Sequence, residues 1–227
     1  MNIEANNFAA EPADGRSARW QAHRQTRRIE LLRHARKAVH RNGTSVSMDE
    51  IAETAGTSKS VFYRYFGDKS GLQAALAAQI GLELEQLITQ GTQQDRSPAE
   101  GMWSMVHNYL QMADASPNVY FFVTERITGV TDTQDSFAGL FATLEEQFSR
   151  FYRQHLASIA DDFTPDSLSL LWPKAAIGLV RATSEAWLAE PASDAKASLT
   201  ALADRITEWL LLGLSRQVVA EKKVEKP

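Results

Sequence analysis

Cysteine is absent from all 227 residues, which excludes disulfides and thiolate metal centres and fits a reducing cytoplasm. No apolar run approaches the roughly 20 residues needed to cross a bilayer, so no membrane partner is expected. The opening residues, MNIEANNFAAEPADGRSAR, lack the apolar stretch of a secretory signal. Strand signals are scarce; only Asn118 to Val123 is an apolar run with much strand character. The sequence also lacks a phosphate-binding glycine loop and a nucleophile placed beside a base. His107 and His155 are isolated, with nothing near them at metal-ligand spacing, and Asp161-Asp162 reads as a solvated loop. These absences predict an all-α protein that is not an enzyme and needs neither cofactor nor metal.

The densest local signals lie in SMDEIAETAGTSKSVFYRYFGDKSGL, Ser47 to Leu72. Ser47 followed by Glu50 is a capping box, opening a short helix from Met48 to Ala55. Gly56 turns the chain because it can adopt a left-handed backbone at little cost. Thr57 and Ser58 can cap a second helix ending near Phe66, with Phe62 and Phe66 facing inward four residues apart. Gly67 ends that helix, and Asp68 can cap the next, beginning at Lys69. Two short helices around a glycine turn, the second polar and basic at its start, are the pattern of a helix-turn-helix.

Charge is distributed to match. The net charge is −4, yet nine Arg or Lys and a single acid, Glu30, lie between Arg16 and Asn42. A basic end on an acidic body directs one end at phosphates and keeps nonspecific affinity low. In the same stretch Leu31, Ala35, Ala38 and Val39 form a helical stripe, so a brace helix is expected from about Trp20 to Asn42.

The chain divides into four expected regions. Residues 1–18 are polar and aperiodic and read as a disordered arm, either a frayed terminus with no role or a mobile basic arm that touches a minor groove through Arg16 and the adjoining Arg19. Residues 19–68 form the helix-turn-helix domain, residues 69–220 a body of long helices, and residues 221–227 a frayed tail. Within the body, helices are expected at about Lys69–Gln90, Pro98–Ala115, Asp135–Ile159, Asp166–Ala189 and Asp194–Ala220, with a shorter aromatic-rich segment from Pro117 to Ile127. Pro173 should kink its helix or mark its true start.

On the pieces IAETAG, SKSVFYRYF and the lysine of FGDKSGL, over about Leu31 to Leu72, the chain resembles the TetR family of bacterial transcriptional regulators. The resemblance implies a two-domain, all-helical dimer with a three-helix head and a body that holds a ligand cavity. It also implies that the last two long helices pair with their symmetry mates in a four-helix bundle. Carried over by position, Ser47, Ser58, Lys59, Tyr63, Tyr65 and Lys69 would face DNA. Where the family commonly has glycine and threonine, this chain has Ser60 and Val61.

The chemistry of these contacts stands on its own. Lys59 can donate to guanine O6 and N7, Ser60 can pair with either a donor or an acceptor, and Val61 suits a thymine methyl or the core. Tyr63 and Tyr65 carry hydroxyls suited to phosphate oxygens, although Tyr65 equally suits a core position beside Phe66. Lys69 sits where a helix N-terminus already attracts phosphate.

The body is rich in aromatics. Trp103, His107, Tyr109, Phe121, Phe122, Phe141, Phe148, Tyr152 and Trp172 suit ordinary core individually, and as a group they are the candidate lining of an apolar pocket, with His107 or Tyr109 as polar anchor. Some relatives respond to fatty acids or acyl-CoA esters, and such a pocket is compatible with them. The last two helices are apolar on more than one face, which suits either a homodimer interface or full burial within one subunit; the homodimer is expected. The expected function is a repressor released from double-stranded operator DNA by a small hydrophobic ligand. The alternative is a cell-division or architectural DNA-binding factor of the same fold that takes no ligand.

Overall fold

A computed structural model of the protein describes residues 15–92, 97–124, 144–146, 148–154 and 171–224, and among them there is no strand. Helix α1 spans Gly15–Asn42, α2 Met48–Thr54, α3 Lys59–Phe66 and α4 Lys69–Thr92. Helix α5 spans Pro98–Ala115 and α6 Pro117–Thr124. Helix α7 spans Trp172–Ala189 and α8 Leu199–Val224. Residues 144–146 and 148–154 are also helical. Helix α1 begins before the expected Trp20, and α8 is helical through Val224.

The head forms as its local signals require. Leu31, Ala35, Ala38 and Val39 of α1 are fully buried and pack with Ile51 and Phe62. The capping box at Ser47 is closed: Glu50 N–H donates to the Ser47 hydroxyl at 3.3 Å, and Ser47 N–H donates to the Glu50 carboxylate at 2.7 Å. That backbone donor, with the Ser47 hydroxyl, holds the Glu50 carboxyl below its ordinary range. Gly56 turns the chain at φ 61°. Asp68 caps α4 through Gly71 N–H at 2.8 Å. One expected cap differs: Ser58 occupies the N-cap position of α3, but its hydroxyl bonds the Ser60 hydroxyl at 2.8 Å rather than the backbone.

The core divides into two clusters. Leu72, Leu76 and Ile80 on the first half of α4 belong to the head cluster, whereas Leu84 belongs to the body cluster with α5, α7 and α8. Helix α6 serves both. Its Val119, Phe122 and Val123 pack into the head, and its Tyr120 packs into the body. The strand-like composition of this segment is overridden because burial on both sides rewards a compact apolar helix.

Polar bonds tie α6 to the head. The His40 ring Nδ1 and the Ser116 hydroxyl are 2.6 Å apart, Asn118 donates to the His40 carbonyl at 2.9 Å, and Gln73 donates to the Phe122 carbonyl at 2.6 Å. Pro173 lies in the first turn of α7, where its missing N–H costs nothing, so it marks a start and not a kink. Among the described residues no helix is long and apolar enough to cross a membrane.

Candidate functional site

Phe62 and Phe66 fix the orientation of α3. Both are buried, with ring centroids 5.8 Å apart, so the opposite side of this eight-residue helix faces outward. That outer side carries Ser58, Lys59, Ser60, Tyr63 and Arg64, all exposed. Lys59 Nζ donates to Asp49 Oδ2 at 2.6 Å, which holds the ammonium above its ordinary range. Both partners are exposed to solvent, so this tether is weak and a phosphate or base edge can replace the aspartate. Lys59 Nζ also lies 5.8 Å from the Tyr63 ring centroid.

The remaining positions are less open. Ser47 is exposed, but its hydroxyl is occupied by the capping box, donating to Glu50 at 2.7 Å. Val61 and Tyr65 are partly buried against the head core, so each has a packing role. Lys69 is half-buried; it donates to the Thr44 carbonyl at 3.1 Å and sits 5.6 Å from the Phe122 ring centroid. Its charge at the start of α4 is therefore held in place rather than swinging freely.

In the body, a small cavity of about 10 Å³ is lined by Met105, Val106, Tyr109, Leu144, Phe148, Ile177 and Val180. As folded it has room for about one water. Of the expected pocket residues, Tyr109 and Phe148 line it. Tyr152 and Trp172 stack at 5.3 Å in the surrounding core, and the Phe148 ring lies 6.1 Å from Trp172. Trp103 and His107 instead stack on each other at 4.5 Å, and the Trp103 indole donates to Asp204 at 2.7 Å, tying α5 to α8. Phe121 is half-buried beside Tyr120, and Phe122 belongs to the head core. Phe141 lies outside the described residues.

Tyr109, one of the two expected polar anchors, supplies the polar edge of this cavity, but its partners were not expected from the sequence. The Tyr109 and Tyr120 hydroxyls are 2.8 Å apart. The Tyr120 hydroxyl donates to Glu185 at 3.3 Å, and Arg181 Nε donates to the same carboxylate oxygen at 2.7 Å. Burial pushes Tyr109 up to about 12 and raises Tyr120 as well, so both are neutral hydroxyls at neutral pH. Their folded-state pKa values exceed the unfolded ones, so the stabilisation is complete below about pH 10 and lost as pH rises through about 12. Denaturant titration should show stability falling across that window, with a shallower fall in Tyr109→Phe. An equal slope in the variant would separate Tyr109 from the effect. Only Arg181 and Glu185 at α-helical spacing on α7 hinted at this network, and that pattern is common on exposed helices.

Comparison with known proteins agrees with this geometry. Residues 31–76 match the model of "Bacterial regulatory proteins, tetR family". A helix-turn-helix-type transcriptional regulator of Mycobacterium tuberculosis H37Rv is 28% identical over 180 residues, spanning 78% of this chain and 74% of its own. The regulator FadR of Bacillus subtilis, solved in complex with stearoyl-CoA, superposes with a TM-score of 0.67 at 14% identity, covering 80% of this chain and 96% of that one. A tetR-family regulator of Streptomyces coelicolor superposes at 0.62 with 18% identity, covering 85% and 91%. At such identities the two structural likenesses carry the fold.

Proposed function

We propose that this chain, whose residues 31–76 match the tetR-family model, is a repressor released from its operator by a small hydrophobic effector. The observation that carries this reading is the position of α6. One helix presents Tyr120 to the polar edge of the body cavity and Val119, Phe122 and Val123 to the core beneath α3. An effector that separates Tyr109 from Tyr120 displaces α6 against α1 and α4, and through them the recognition helix.

The proposed operator contacts are Ser58, Lys59, Ser60 and Tyr63, with Ser47, Val61, Tyr65 and Lys69 as supporting positions at the edge of the face. The proposed dimer forms through α7 and α8. Leu171, just before α7, is 54% exposed, and Trp209 and Leu212 on α8 are 47% and 54% exposed, an apolar surface that a partner would cover. Two such heads read half-sites about 34–36 Å apart. A sedimentation mass of one protomer at micromolar concentration would rule this arrangement out.

A long acyl chain is the proposed effector class, supported by the apolar lining and by the FadR neighbour that binds stearoyl-CoA. To admit it, Met105 and Phe148 must repack, which suits a flexible thioether. The near-filled cavity also suits the alternative, a DNA-binding factor without a ligand. Thermal unfolding with stearoyl-CoA decides between them. At 100 times its Kd the acyl ester should stabilise the protein by about 2.7 kcal/mol. Operator affinity should fall roughly 5- to 150-fold. Bound stearoyl-CoA with unaltered operator affinity would remove it as the effector; no binding by any long-chain acyl ester or fatty acid would favour the ligand-free factor.

A further inference from the structure

Helix α1 is much longer than the head needs. Among its described side chains the first buried one is Leu31, and residues 19–26 are all exposed. Some 16 residues therefore precede the core, about 24 Å of helix at 1.5 Å per residue. The head core engages only the last turn of this stretch, where Arg28 lies 5.4 Å from the Phe66 ring. From Arg16 to Ile29 the chain carries five arginines and no acid, whereas a face kept merely for solubility mixes both signs.

This extension meets the end of α3. Arg19, Trp20, His23 and Arg24 of α1, with Arg64 and Tyr65 of α3, line an open groove of roughly 620 Å³. The Arg24 guanidinium lies 5.5 Å from the Trp20 ring and 6.0 Å from the Tyr65 ring. The Arg64 guanidinium lies 5.6 Å from the Tyr65 ring on its own helix. Trp20 is 63% exposed, which is costly for an indole with no structural task. Among the described residues no carboxylate forms a salt bridge with Arg24 or Arg64. Aromatic faces orient a guanidinium without neutralising it and leave its N–H edges available.

We propose that this groove is a second DNA contact, a cationic-aromatic cradle that grips a phosphodiester of the same duplex, outside the half-site read by α3. A planar guanidinium fork matches two phosphate oxygens, and two forks on a rigid aromatic frame bind the backbone without reading sequence. Duplex DNA is chosen over an acidic protein because Arg64 and Tyr65 belong to the recognition helix itself. The cradle is continuous with the face that carries Tyr63. It extends the operator footprint and adds affinity that is independent of sequence.

The proposal rests on the α3 interface, and the test keeps the two apart. A duplex is first recovered from a random-sequence pool by selection with the full-length wild-type chain. Binding is then measured to the selected core alone and to the core carrying ten flanking base pairs on each side. Wild-type binding to the short duplex tests α3. The variant Trp20→Ala, Arg24→Gln tests the cradle. It should lose about 3- to 10-fold on the flanked duplex, lower the slope of log K against log salt by about one, and match wild type on the core. Arg24→Lys should retain part of the gain, since it keeps the charge and loses the fork. Thermal midpoints taken on the same samples check folding. Equal affinity of wild type and variant for the flanked duplex would overturn the proposal. So would an equal loss on both duplexes, because the groove would then act through the head and not on flanking phosphate.

Discussion

Phe62→Ala is expected to collapse the head and abolish duplex binding. Phe62 is fully buried and joins α3 to the cluster built on Leu31, Val39 and Ile51. An eight-residue helix has too few turns to persist without such an anchor. Truncating a buried phenylalanine costs about 3–5 kcal/mol. A head of this size has total stability of similar magnitude, at roughly 0.05–0.15 kcal/mol per residue. Denaturant unfolding of the full chain should show the far-ultraviolet transition of the head moving to much lower denaturant. Fluorescence in a Trp20→Phe background, where Trp103, Trp172, Trp187 and Trp209 all lie in the body, reports the body, which should shift far less. A variant that kept both its midpoint and its duplex affinity would contradict the placement of α3.

The second large effect concerns recognition without folding. Lys59→Ala combined with Tyr63→Ala removes two side chains from the exposed side of α3 and none from the core. Loss of the Lys59 base contact costs about 1–3 kcal/mol and loss of the Tyr63 phosphate contact adds to it, so a selected duplex should bind roughly 10- to 100-fold more weakly. Stability should stay within about 0.5 kcal/mol, as for other surface changes. Fluorescence anisotropy at fixed salt measures the first quantity and thermal unfolding the second. A large fall in the thermal midpoint would mean that these side chains hold the head together and do not read DNA.

The head was legible in the sequence because its elements are short and each boundary carries its own chemistry. Ser47 with Glu50, Gly56, Gly67 and Asp68 act within four residues of themselves, so spacing alone assigns them. Helix α6 was not legible in this way. Its identity depends on what lies on either side, and an apolar run such as VYFFV suits a strand equally well until both neighbours are known. Phe122 illustrates the consequence: its aromatic character suggested the body pocket, whereas its side chain completes the head core.

The pocket shows a related limit. On α5, Met102, Met105, Val106, Tyr109 and Ala113 follow helical spacing into the body core. Trp103 and His107, also four apart, share a neighbouring face and stack there. Aromatic content marked the helix correctly but did not distinguish its faces. The Tyr109–Tyr120–Glu185 network was out of reach for a different reason. Its members are 11 and 65 residues apart, and neither separation has a local signature.

The central claim is that the outer side of α3, and no other exposed surface of comparable aromatic character, meets the bases. Tyr63 on α3 and Trp209 on α8 are 43% and 47% exposed, so accessibility does not favour either one. A photoreactive phenylalanine analogue placed at each position in turn, irradiated with the selected duplex, compares them directly. The account predicts cross-linking to DNA from position 63 and none from position 209. DNA captured at 209, or left untouched at 63 while the duplex is demonstrably bound, would contradict it.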